Sequence, residues 1–153
     1  MALVEESHVV SILPPIDING AKSCDVFSMA NYGHATIYIT MGVTHSTGSV
    51  VTLEECDDFT PSNATAIAFS YYAEDTALGD TLGARTAADS AGFTTSVNNG
   101  IIYVIDIDAA ALTDGYPCVQ LEFADPGGST IASAIVVLTE AKYQQEVTPT
   151  AIV

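Results

Sequence analysis

Apolar and polar residues alternate with a period of two along most of this chain, and that pattern commits it to a fold built from β-strands. In the run His34–Val43 (HATIYITMGV), Ile37, Ile39 and Met41 share one face of an extended chain, and Thr36, Tyr38 and Thr40 share the other. Similar runs, rich in β-branched and aromatic residues, fall at His8–Leu13, Val50–Cys56, Ala66–Tyr72, Ile101–Ile107, Val119–Phe123 and Ile131–Leu138. No long stretch repeats with the helical period. Strands of this length and spacing predict a sandwich or barrel. The expected fold is all-β: a single-domain antiparallel β-sandwich, jelly-roll-like, over residues 8–143, with extended arms at 1–7 and 144–153.

Turn chemistry separates the runs. Asn99-Gly100 tolerates positive φ and predicts a type I′ hairpin joining Phe93–Val97 to Ile101–Ile107. Asn19-Gly20, Ser46-Thr47-Gly48 and Asp125-Pro126-Gly127-Gly128 mark further turns. Short helical turns are expected at Asp108–Leu112, with Asp108 as the N-cap, and around Arg85–Ser90.

Two segments point outward. Asp75–Gly92 (DTALGDTLGARTAADSAG) exceeds the length of an ordinary connection and is expected to reach a neighbouring molecule. In the C-terminal arm, Pro149 holds Thr148-Pro149-Thr150 extended and so delivers Ala151-Ile152-Val153 beyond the domain. Arg85, Pro149, Ala151, Ile152 and Val153 are therefore the expected interface residues.

Charge narrows the function. Three cations (Lys22, Arg85 and Lys142) stand against 19 Asp and Glu, for a formal net charge of -16. Nucleic acid and anionic membranes are held by patches of Lys and Arg, which this chain cannot assemble. Only 14% of the residues are charged, where about a quarter is usual, while the apolar share of 48% is ordinary. A surface so poor in charge is expected to be covered in part by other subunits, and a homotrimer is the expected assembly.

A chain of 153 residues can bury a core without metal or disulfide support. Cys24, Cys56 and Cys118 are odd in number and irregular in spacing, and read as buried thiols. Met1–His8 has neither a basic nor an apolar region, and no run approaches the roughly 18 apolar residues of a membrane span. The expectation is a soluble protein made in a cytoplasm. In that setting the glycosylation triplet Asn63-Ala64-Thr65 carries no weight.

Site chemistry is sparse. Glu54-Glu55-Cys56-Asp57-Asp58 and Asp106-Ile107-Asp108, with Asp125, hold enough carboxylates to consider Ca²⁺, but none has the spacing of a calcium loop. Asp106 and Asp108 are what one solvated strand face gives at period two. His8, His34 and His45 show no spacing that brings two of them together. There is no nucleophile elbow, S-x-x-K, CxxC or phosphate loop, and carboxylates adjacent on one strand do not flank a glycosidic bond. Tyr71-Tyr72 with Tyr32, Tyr38 and Tyr103 suits a sugar platform, yet tyrosines fit half-buried strands and subunit contacts equally well. No enzyme, cofactor or metal is expected.

In the C-terminal half the residues become more specific. Ile105–Leu112 (IDIDAAAL), Asp114–Val119 (DGYPCV), Ala124–Ser133 (ADPGGSTIAS), Tyr143 and Thr148–Ile152 (TPTAI), with Ile12–Asp17 (ILPPID) at the front, resemble small structural proteins of tailed bacteriophages, namely capsid cement or head decoration proteins. The resemblance implies a compact β-rich protein that binds the outside of an icosahedral head, commonly as a trimer, with the major capsid protein as partner and no catalytic site. It transfers no contact residues. The alternative is a carbohydrate- or receptor-binding β module of a virion spike or bacterial surface.

Overall fold

Wherever the sequence alternates, the backbone is extended. The structure, a computed structural model, describes residues 6–74, 80–143 and 150–152. Along them run β1 (His8–Asp17), β2 (Lys22–Ser23), β3 (Phe27–Ser28), β4 (Tyr32–Met41), β5 (Val50–Cys56) and β6 (Ala64–Ala66). There follow β7 (Phe69–Glu74), β8 (Thr86–Ala88), β9 (Phe93–Thr94), β10 (Ile102–Asp108), a single 3-10 turn (Ala109–Ala111), β11 (Cys118–Phe123) and β12 (Ile131–Ala141).

The strands form two sheets in which every pairing is antiparallel. One has the order β1-β12-β4-β10-β7-β8. The other has the order β2-β11-β5-β6, with β3 also on β11 and β9 also on β5. The path becomes recognisable when β2 and β3 are taken as one interrupted strand and β7, β8 and β9 as an insertion. Eight strands then remain, ordered first-eighth-third-sixth in one sheet and second-seventh-fourth-fifth in the other. That is the double Greek key of a jelly roll. The predicted all-β sandwich of jelly-roll type is the observed fold.

Alternation places one face of each sheet inside. From the larger sheet come Ile37, Ile39 and Met41 of β4, Tyr103 and Ile105 of β10, and Val136 and Leu138 of β12; from the smaller come Val51, Leu53, Leu121 and Phe123. All belong to one contiguous core, and burying each such side chain contributes about 1.5–3 kcal/mol. At one side of the sandwich, aromatic rings join the sheets. Tyr71 of β7 stacks on Phe93 of β9 with ring centroids 3.9 Å apart, and Tyr103 lies 5.0 Å from Phe93.

Four expectations are corrected. Asn99-Gly100 does not close a hairpin: both flanks of β10 are taken by β4 and β7, so β9 pairs with β5 in the opposite sheet. Gly100 does take positive φ, but its N–H donates to Gly42 O, while Asn99 Oδ1 accepts from Thr44 N. Within Arg85–Ser90, Thr86–Ala88 is strand β8 and not a helical turn, because the edge of β7 offers a ladder to residues 86–88. The 3-10 turn forms as expected after Asp108, but the Asp108 carboxylate is engaged by His34 and makes no cap.

The fourth concerns the C-terminal arm. Ala151 is buried in the chain's own core, its carbonyl accepts from Ser28 N, and Ile152 packs against the same core. At these two residues the arm therefore folds back on its own domain instead of extending beyond it. Pro149 and Val153 lie outside the described residues, as do residues 1–5 of the N-terminal arm and 75–79 of the long connection.

Candidate interaction surface

The outward face of the six-stranded sheet does not follow the apolar-in, polar-out rule of a solvated antiparallel sheet. Cross-strand register puts Ser11, Ile135, Tyr38, Val104 and Tyr72 in one row across β1, β12, β4, β10 and β7. The next row holds Val9, Val137, Thr36, Asp106 and Ser70. On the other side lie Ser133, Thr40, Ile102 and Glu74. Val9, Tyr38, Ile102 and Ile135 are 39–46% exposed, and they are four of the ten exposed large apolar side chains among the described residues. Val104 and Val137 share this face yet are only 7% exposed and belong to no core cluster. Directly opposed neighbours crowd them, Tyr38 and Tyr72 beside Val104, Val9 and Thr36 beside Val137.

No charged side chain lies in the part of this face formed by Val9 and Ser11 of β1, Ser133, Ile135 and Val137 of β12, and Thr36, Tyr38 and Thr40 of β4. The acids sit off that patch. Asp106 and Asp108 are at one end of β10, and Glu74, whose carboxylate accepts from Thr81 N, ends β7. His34 lies between the two aspartates: Nδ1 is 2.7 Å from Asp108 Oδ1 and Nε2 is 3.4 Å from Asp106 Oδ1. Thr36 Oγ1 donates to Asp106 at 2.9 Å. Burial of the ring lowers the His34 pKa, but the two carboxylates outweigh it and the net shift is upward. Because the aspartates bind opposite ring nitrogens, the three groups do not converge on one metal position.

The remaining acids considered as calcium ligands are dispersed. Glu54 points outward from β5, whereas Glu55 is buried and accepts from Thr113 N at 2.7 Å. Asp57 accepts hydrogen bonds from Ser62 and Asn63, which hold its carboxyl well below the usual range. Asp58 accepts from Thr60 N, and Asp125 joins two turns by accepting from Gly20 N and Gly127 N. Among the described residues no group of three or more His, Cys, Asp or Glu is placed to hold a metal ion.

The histidines stay apart. His8 Nδ1 lies 2.9 Å from the Tyr32 hydroxyl, and His45 Nδ1 lies 3.1 Å from Pro126 O. The tyrosines divide between two environments. Tyr32, Tyr71 and Tyr103 belong to the interior, whereas Tyr38 and Tyr72 share the outer row, so no single aromatic platform forms. Arg85 is exposed on the way into β8. An open pocket of about 290 Å³ lies at one end of the sandwich between Met29, Leu112, Tyr116 and Lys142. Lys142 Nζ there donates to Ala30 O.

Sequence reasoning missed the outer face as a unit. Its signal was present in Ile135-Val136-Val137-Leu138 and in Ile101–Ile105, where residues on both faces of the strand are apolar. Such runs mark strands covered on both sides.

Fold and surface together define a jelly-roll β-sandwich whose six-stranded sheet turns an exposed apolar patch outward among the described residues, with its acids gathered on β10 and β7. No protein-family model and no curated protein matches the sequence. Among solved structures the chain is similar to the SPBc2 prophage-derived protein YomS, at 17% identity and a TM-score of 0.46 over 86% of this chain and 93% of that one. It is also similar to a Desmodium yellow mottle tymovirus chain, at 11% identity and a TM-score of 0.30 over 92% and 90%. Neither likeness bears on function.

Proposed function

We propose that this chain is a structural protein of a virion, a cement protein on the outside of an icosahedral phage head that stabilises contacts between major capsid subunits. The observation that carries this reading is the outer face of the six-stranded sheet, where among the described residues Val9, Tyr38 and Ile135 stand exposed with no charge between them, on a chain of net charge -16. Contiguous exposed apolar area of this kind is characteristic of protein contacts. The sequence resemblance to head decoration proteins supplies the partner. In this reading the chain acts without catalysis, cofactor or nucleic acid, and its acidity suits a position away from the packaged genome.

Heads assembled from the major capsid protein of the phage that encodes this chain, but lacking the chain itself, provide the test. The purified protein should co-sediment with them at saturable stoichiometry and stay bound through a wash in about 1 M NaCl, where charge contacts are screened within about 3 Å. Absence of binding, or full release by salt alone, overturns the reading.

A further inference from the structure

We propose that the outer face of the six-stranded sheet pairs with the same face of a second copy, making a two-fold dimer of the free protein. Three observations select a second copy as the occupant.

The first is charge. A partner dominated by cations would find nothing to complement on the part of the face formed by Val9, Ser133, Ile135, Val137, Tyr38 and Thr40, which are apolar or hydroxylic. A copy of that surface presents the same neutral groups. With the two-fold axis along β4, each β10 lies over the β12 of the other copy, because rotation about β4 exchanges its two neighbours. Asp106 and Asp108 then meet a strand whose outward residues, Ser133, Ile135, Val137 and Thr139, include no acid.

The second is shape. Two sheets with the same twist pack face to face with strands about 30° apart, and a second copy supplies that twist without adjustment. The third is area. Five strands about 4.8 Å apart, with about seven residues each at about 3.4 Å, span on the order of 600 Å² before side-chain relief. Two such faces bury about 1,200 Å² together, the lower end of a standard interface.

An isologous contact closes at two, whereas the homotrimer expected from composition would need two different patches on each subunit. The pairing takes the same face that the virion reading gives to the capsid, so the dimer is a state of the free protein that opens on the head, and each can still fail without the other.

Sedimentation equilibrium of the full chain at micromolar concentration is the test. The expected mass is twice the 15.9 kDa of the chain. A monomer or a trimer overturns the proposal. Ile135→Lys sets a charge in the central row, and should weaken dimerisation at least about 100-fold, since a buried unpaired charge costs several kcal/mol. Val50→Lys, on the other sheet, should leave the dimer intact. If Ile135→Lys remains a dimer, the interface lies elsewhere and the proposal fails. Should that variant not fold, Tyr38→Cys decides: on the axis strand it should cross-link to its own copy with a short bis-maleimide, while wild type, whose three thiols are buried, should not. No cross-link from a folded Tyr38→Cys protein also overturns the pairing. A protein that dimerises but ignores heads retires the virion reading alone, and a monomer that binds heads retires the dimer alone.

Discussion

His34 on β4 and Asp108 on β10 are bonded across the sheet, Nδ1 to Oδ1 at 2.7 Å, with Asp106 on the other ring nitrogen. The folded state therefore holds the His34 proton more tightly than the unfolded chain, whose histidine titrates near 6.5. A raised folded pKa adds stability that is fully present below the unfolded value and is lost as pH rises through the folded one. Wild type should be more stable than His34→Gln near pH 5.5, by up to about 1 kcal/mol for so exposed a group, and the gap should close by about pH 8. Thermal melts of both proteins across that range measure it. A gap that widens with pH would reverse the sign.

Ser28 N donates to Ala151 O at 2.9 Å, and Ala151 is 3% exposed. Deleting Thr150–Val153 removes that bond together with the packing of Ala151 and Ile152 on the core. A loss of about 2–3 kcal/mol, or roughly 4–10 °C in melting temperature, is expected. Circular dichroism melts check it, and an unchanged midpoint would show that the tail adds nothing to the domain.

Gly92 sits at φ 79° with its α-carbon against the Val51 carbonyl, where an added β-carbon would collide with backbone. Neither the conformation nor the contact has room to relax. Gly92→Ala should cost on the order of 3 kcal/mol. Urea unfolding should show a lower midpoint with an unchanged slope.

Cys56 and Cys118 face each other across β5 and β11 and pack with Val26 and Phe59, while Cys24 lies in the main core. Burial raises all three thiol pKa values, that of Cys56 to about 12. Near pH 8 an aromatic disulfide reagent should titrate less than one thiol per folded chain within minutes, and all three once the chain is denatured. Rapid stoichiometric labelling of the native protein would show that the thiols are reachable.

Strand positions were legible because side-chain alternation is a local property. The run read as Val50–Cys56 is β5 residue for residue, and Ile101–Ile107 is displaced by one from β10. The run read as Ala66–Tyr72 shows where local signals end. It contains the last residue of β6, in the smaller sheet, and most of β7, in the larger one, because the chain crosses the sandwich between Ala66 and Phe69. Nothing in the spacing of apolar residues marks that crossing. The supposed hairpin at Asn99-Gly100 failed for the same reason, since the dipeptide sets the backbone of the turn but not which strand lies beside β10.

By itself the sequence determined that this chain is a β-sandwich, where most strands run and which residues face the core, since each depends on neighbours a few positions away. It also determined the net charge of -16. Only the tertiary structure decided that Ala151 belongs to its own domain. It alone brought Val9, Ile135, Tyr38 and Val104, from four strands far apart in the chain, onto one outward face. Those placements rest on register between strands as distant as β1 and β12, and register is fixed by the packing of whole sheets, which no short window of sequence contains.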